Sequence, residues 1–306
     1  MKYLYISGLL LFMTICLGAK NKMNVESVNL QKLGPHYVFT SDINGASDVK
    51  VLLESGIPAM LADSAFVFST GVLSTLDLSP VSNEKINLGG RTYTITHKAS
   101  GAVKIGDHIS YRGDVFILSD YATHYELAIP LQYICNDRGT RIVRLVLEDN
   151  SLQILSRSDL RSRRGAYIKH RMTTKTYLGM PAVMTELTSD YGKGTGVLKG
   201  EFIIDFGNPE LVFLMHQHEE VQKFIAENPD IELKSARNQR GDVVAQFIIA
   251  EQCKLCKSEF HDAVVAITRS LPKFTAVGNI GLKYFKPLDV IFDFDRNIMY
   301  ISTYGI

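Results

Sequence analysis

The 306-residue chain has no tryptophan, only four cysteines, and almost no excess of charge of either sign. Each scarcity excludes something. A formal net charge of +1 leaves no global field to favour nucleic acid or an acidic surface as partner. Beyond the first 19 residues, no stretch is long and apolar enough to cross a bilayer, so no transmembrane helix is expected in the mature protein. The missing tryptophan is no obstacle to a core, because 14 tyrosines and 15 phenylalanines remain to build one. The hydrophobic share of 46% and charged share of 21% are those of a soluble globular protein of one large or two medium domains.

Cysteine chemistry is also sparse. Cys16 lies in the N-terminal apolar segment, which leaves Cys135, Cys253 and Cys256, an odd number. Cys253-Lys254-Leu255-Cys256 reads as a hairpin and not as a helix start beside a βαβ unit, which argues against thioredoxin-type redox work. A zinc site would need two further ligands, and His261 is the one nearby candidate. A local disulfide or two free thiols at a turn both fit. No metal or organic cofactor is expected.

Residues 1–19 read as an export signal: Lys2, then an apolar run over residues 4–17, then small Gly18 and Ala19. The run is shorter than the ~20 residues a span needs, which favours cleavage and a periplasmic or secreted protein. Cys16 is the alternative, as a lipid-anchor site on a cell-surface protein, but Ile15 before it is large for that role.

What the chain does have is a repeat. Val51-Leu52-Leu53-Glu54-Ser55-Gly56-Ile57-Pro58 returns 151 positions later as Phe202-Ile203-Ile204-Asp205-Phe206-Gly207-Asn208-Pro209. Each copy is an apolar run, a carboxylate, one residue, a glycine, one residue and a proline. The runs read as buried strands, the acid comes as the strand ends, and the glycine permits a tight turn straight after it. Two acids on equivalent strand ends can meet across a pseudo-twofold axis, share a proton and activate a water. A second pair of matching segments, residues 142–155 and 290–301, repeats an apolar strand, an acidic turn and another strand.

These residues resemble the two-lobed aspartic peptidases of the pepsin and retropepsin type, and in particular the exported aspartyl-protease-like proteins common in Bacteroidetes. Asn44-Gly45 before the first turn, Gly278-Asn279-Ile280-Gly281-Leu282-Lys283-Tyr284-Phe285, and the closing hairpin from Val290 to Ile301 extend the resemblance over roughly residues 30–306. It implies a mainly β, bilobal pepsin-like fold with few short helices, one lobe in residues 25–160 and the other in 165–306. It implies Glu54 and Asp205 as the catalytic pair, and Ser55, Gly56, Phe206 and Gly207 as substrate-contacting positions. Both turns depart from the family pattern of Asp-Thr/Ser-Gly: Glu54 stands for Asp, and Phe206 for Thr/Ser. Glu54 has one more methylene than Asp, so its carboxyl would overshoot unless the turn were pulled back. Ser55 keeps the hydroxyl that, in the family, bonds across to the opposite turn, and Phe206 cannot return that bond.

Along the rest of the chain, period-two patterning and turn signals predict many hairpins. Ile86 to Ile95, around Gly89-Gly90, is one of several candidates for a flap over the cleft, with Tyr93 and Tyr111 as candidate flap tyrosines. Residues 20–35 read as a polar leader. Residues 156–171, with Arg157, Arg161, Arg163, Arg164, Lys169 and Arg171, read as a solvated linker between lobes. Tyr191 to Gly196 reads as a Gly-rich hairpin and not a phosphate loop. His216 and His218 precede an amphipathic helix over residues 219–227, and a surface helix start fits them better than a metal pair. Two functions from different classes follow: hydrolysis of extended polypeptide in an interlobe cleft, or a catalytically inactive peptide-binding or structural relative.

Overall fold

The computed structural model describes residues 26–88, 91–107, 109–119, 121, 124–237, 241, 243–268 and 275–303. The expected signal with Cys16, and the Gly89-Gly90 turn, lie outside them.

Strands dominate. In the first half they are β1 (Glu26–Asn29), β2 (Gln31–Leu33), β3 (His36–Ile43), β4 (Ala46–Glu54), β5 (Met60–Asp63), β6 (Ser79–Leu88), β7 (Arg91–Ile105), β8 (Ile109–Ser119), β9 (Leu127–Pro130), β10 (Ile134–Cys135), β11 (Ile142–Val146) and β12 (Ser151–Ile154). In the second half they are β13 (Tyr167–Thr173), β14 (Ala182–Asp190), β15 (Thr195–Ile204), β16 (Val212–Met215), β17 (Lys234–Arg237), β18 (Val243–Leu255), β19 (Ser258–Thr268), β20 (Gly278–Ile280), β21 (Asp289–Asp293) and β22 (Ile298–Ser302). The α-helices are short: Ser64–Thr70, Arg157–Arg163, Glu219–Glu227 and Leu282–Phe285.

The repeat in the sequence is a repeat in the fold. In the first half β4 runs parallel to β9, with Leu53 opposite Ile129, and β9 runs antiparallel to β5. In the second half β15 runs parallel to β20, with Ile204 opposite Ile280, and β20 runs antiparallel to β16. Beyond these, β5 pairs parallel with β8, and β16 pairs parallel with β19. A shift of 151 carries the Leu53–Ile129 pair of β4 and β9 onto the Ile204–Ile280 pair of β15 and β20. Parallel strands buried on both faces explain the unbroken apolar runs. Val51, Leu52, Leu53, Phe202, Ile203 and Ile204 are all buried.

One nine-stranded sheet belongs to the first half, in the order β2-β3-β4-β9-β5-β8-β7-β6 with β10 on β8. The thirteen-stranded sheet runs β1-β12-β11-β21-β22-β13-β14-β15-β20-β16-β19-β18-β17, so strands of both halves share it. The matching hairpins β11–β12 and β21–β22 lie side by side there, with Ile142 opposite Asp293 and Leu145 opposite Val290.

Two expectations are corrected at this seam. From Glu26 on, the polar leader is built into the sheets: β1 pairs with β12, and β2 with β3. Glu-Ser-Val-Asn has no strand periodicity of its own, so only its long-range partner fixes it. The basic linker is a capped helix followed by β13. Ser156 and Asp159 form a capping box on the helix Arg157–Arg163. Arg157 pairs with both Asp293 and Asp295, the latter at 2.7 Å, and Asp293 is fully buried. Losing that guanidinium would leave a buried charge uncompensated, which is costly.

Candidate functional site

The two turns meet on the floor of a cleft. Glu54 ends β4, and Asp205 follows β15, its N–H bonded to the Ile280 carbonyl at 2.9 Å. Each carboxyl lies against the glycine of the opposite turn. A Cβ placed on Gly56 would fall 2.3 Å from Asp205 Oδ1. One placed on Gly207 would fall 2.5 Å from Glu54 Oε1 and 3.1 Å from Asp205 Oδ1. Both acids therefore reach within about 3 Å of one point, and a side chain at Gly207 would push the Glu54 carboxyl away from it. The extra methylene of Glu54 does not overshoot the site; it carries the carboxyl across to Gly207.

Hydrogen bonds fix each acid. Glu54 Oε2 accepts from the N–H groups of Ser55 at 3.1 Å and Gly56 at 3.4 Å. Asp205 Oδ1 accepts from the Gly207 N–H at 2.9 Å, and Oδ2 from the Asn279 side-chain amide at 2.8 Å. Asn279 is held in turn, its Oδ1 accepting from the Asn208 amide at 2.8 Å. Burial pushes the Glu54 carboxyl well above the usual range, and the charge of Asp205 pushes it further. Burial also raises Asp205, opposed by the N–H groups of Gly207 and Asn208. Two carboxyls this close and this buried titrate as a unit that favours one shared proton.

That shift has a consequence for stability. A carboxyl whose folded-state pKa is raised binds its proton more tightly in the fold. Its contribution is fully present below the unfolded value, ~4.3, and is lost as pH rises through the folded one, about 8 for Glu54. Glu54→Gln cannot ionise and escapes the loss. Thermal melts should show the variant equal to wild type near pH ~4 and about 5 °C more stable near pH ~8. A difference that shrinks as pH rises would contradict the assignment.

Ser55 and Phe206 do not line the cleft, which corrects their expected role as substrate contacts. Ser55 is fully buried; its hydroxyl donates to the Ile204 carbonyl at 2.8 Å and accepts from the Phe206 N–H at 3.0 Å. This ties the two turns together in one direction. Phe206 returns no such bond, and its ring turns into the core, edge-on to Phe285 at 5.1 Å and Phe292 at 6.1 Å. The gap between the acids is thus not filled by that ring. Ser55→Ala would strand a buried carbonyl and a buried N–H. Urea unfolding should show a loss of about 2–4 kcal/mol.

The cleft has a volume of about 630 Å³. Its walls include Leu52, Leu61, Ala128 and Tyr121 from the first half, and Leu178, Met180, Phe213 and Met215 from the second. Among the described lining residues there is no lysine or arginine. The β6–β7 hairpin is the element that reaches over it, since Ile86, Asn87, Leu88 and Tyr93 line it. Tyr93 packs edge-on to Tyr121 at 5.3 Å, with the Arg91 guanidinium 5.5 Å from its ring. Tyr111, the other candidate flap tyrosine, is a core residue: it is fully buried, accepts from the Met60 N–H at 2.9 Å and donates to the Asp114 carbonyl.

The remaining motifs lie elsewhere. His218 caps the helix Glu219–Glu227, accepting from the Glu220 N–H. Cys256 and Lys257, both at positive φ, make the two-residue turn between β18 and β19. The thiols of Cys135, Cys253 and Cys256 are buried and unpaired. The glycines from Gly192 to Gly196 close the β14–β15 hairpin.

Asn279 escaped sequence reading as a site residue. Its signal was the repeat itself: the shift of 151 that relates Glu54 to Asp205 relates Ala128 to Asn279 and Ile57 to Asn208.

No protein-family model matches the chain, and no curated protein sequence does. Solved structures do match. The aspartic proteinase from Irpex lacteus is similar at a TM-score of 0.54 and 11% identity, over 91% of this chain and 97% of that one. Basic 7S globulin from soybean matches at 0.53 and 9%, over 92% and 96%. Conglutin gamma, a basic 7S globulin from lupine seeds, matches at 0.55 and 10%, over 93% and 96%. The fold is therefore the mainly β fold of the pepsin-like aspartic proteinases.

Proposed function

We propose that this protein is an aspartic-type peptidase that hydrolyses extended polypeptide in the cleft between its halves, with Glu54 and Asp205 as the working pair. One observation carries the reading: two buried carboxyls from equivalent turns come within about 3 Å of a common point at the floor of an open cleft. A water bound between them would give its proton to the ionised carboxylate as its oxygen attacks the scissile carbonyl. The protonated carboxyl would donate to the carbonyl oxygen. When the tetrahedral species collapses, the C–N bond breaks, the amine nitrogen takes the proton from the first acid, and the second recovers its own. No metal or organic cofactor enters. The extended chain would lie beneath the β6–β7 hairpin, held by its backbone groups. Export to the periplasm or outside the cell fits the N-terminal signal.

A second reading is a silent polypeptide-binding relative. It is favoured by the one-directional bonding between the turns, since Phe206 leaves half of the tie unmade. The two separate on one assay: incubation of a denatured protein with the wild type, with and without a statine-type inhibitor. Fragments that the inhibitor suppresses support hydrolysis. No fragments between about pH 3 and pH 8, with a peptide still bound, would move the assignment to the second reading.

A further inference from the structure

The two halves of the floor are matched in position but not in chemistry. Beside Asp205 stand two amides: Asn279, bonded to its Oδ2 at 2.8 Å, and Asn208, which orients Asn279 at 2.8 Å. Both are more than nine-tenths buried, at 7% and 2% exposure. The residues at the corresponding places beside Glu54 are Ala128 and Ile57. They belong to an apolar cluster with Leu52, Leu61, Tyr121 and Val38. Glu54 receives no side-chain donor from either place. Its partners are the backbone N–H groups of its own turn and of Gly207.

Donors aimed at a carboxylate stabilise its charged form, and apolar surroundings stabilise the neutral acid. We infer that the Asn208–Asn279 relay fixes the direction in which the pair shares its proton: Asp205 carries the charge and Glu54 the proton. Asn279 is then a positioning residue. Building on the peptidase reading, Asp205 is the group that takes the proton from water, and Glu54 the one that donates to the carbonyl oxygen of the substrate. The other titratable groups lining the cleft, among the described residues, are His36, Tyr93, Tyr121 and Tyr125. Tyr121, whose hydroxyl is 3.3 Å from that of Tyr125, feels the charge of Glu54, and among the described lining residues no lysine or arginine competes for the role given to Asn279.

The test is made on resting protein with no substrate, so it does not depend on whether the protein is active. Carboxyl carbons of Asp and Glu are labelled with carbon-13 and followed by NMR as pH is raised. In the wild type Asp205 should lose its proton first and Glu54 second. In Asn279→Ala, which makes this position match Ala128, the first step should rise by about one unit and be shared between the two acids. Asn208→Ala should move it in the same direction by less. Ala128→Asn, which leaves the relay intact, should lower the Glu54 step. Titration of Glu54 first in the wild type would overturn the inference, as would an Asn279→Ala profile identical to wild type in both steps. An inactive wild type that nonetheless titrates in the stated order would remove the peptidase reading and leave this one standing. In an active protein, the acidic limb of the kcat/KM profile should move up with Asn279→Ala, with KM nearly constant. A purely structural asparagine would leave that limb in place.

Discussion

Asp205→Asn should reduce kcat/KM on an unfolded protein substrate by about 10³–10⁴-fold, with the fold intact. The size of the effect follows from the role. The pair needs one charged and one protonated member, and an amide can neither take a proton from water nor hold the charge that keeps Glu54 protonated. The fold should survive because Asn keeps the shape of Asp and an acceptor oxygen. That oxygen can still face the Gly207 N–H, which now sits 2.9 Å from Asp205 Oδ1. Removing a buried, partly uncompensated charge should even raise the melting temperature slightly at neutral pH. The check is a kinetic comparison with matched circular dichroism spectra. Equal rates for variant and wild type would show that Asp205 takes no part in the chemistry.

The second large effect concerns Phe206, which stands where the first turn of the repeat has the hydroxyl of Ser55. Phe206→Thr puts a hydroxyl in both turns, yet it should destabilise the protein by about 3–4 kcal/mol in urea or thermal unfolding. The ring belongs to an aromatic cluster: Phe206 meets Phe285 at 5.1 Å, Phe285 meets Phe292 at 5.8 Å, and Phe292 stacks on Phe294 at 5.6 Å. Threonine would leave a void among these rings and place a hydroxyl near it. A new bond to the first turn recovers about 1 kcal/mol at most, well short of the loss. Unchanged or higher stability in Phe206→Thr would mean that the core can collapse around the site, and that the ring is not what holds this turn in place.

Much of this could be read from residues alone, because it rests on local pattern. Apolar runs such as Val51-Leu52-Leu53 declare buried strands, and an acid-X-Gly step at the end of each declares a turn. Repetition of that unit at a fixed shift is enough to set Glu54 opposite Asp205. What escaped depends on contacts distant in sequence. Glu26–Asn29 becomes a strand only because β12 offers it an edge. Arg157 looked solvated by charge count, and its aspartate partners come more than 130 positions later. Several hairpins had the right periodicity for a flap, and only packing shows that β6–β7 lines the cleft. Phe206 looked like a cleft residue by its place in the motif, but its ring had a better environment in the core. Leu127-Ala128-Ile129-Pro130 gave no glycine to mark it as the counterpart of Gly278-Asn279-Ile280-Gly281. The shift of 151 was there to be applied, and it would have singled out Asn279.

The central claim is that acids from the two halves act on one shared oxygen. A crystal structure with a bound statine-type peptide, whose secondary hydroxyl stands in for the attacking water, tests it most directly. The account predicts that hydroxyl within hydrogen-bond reach, ~3 Å, of a carboxyl oxygen of both Glu54 and Asp205, with the peptide extended beneath the β6–β7 hairpin. A peptide bound with its hydroxyl on only one of the two acids, or on neither, would contradict it.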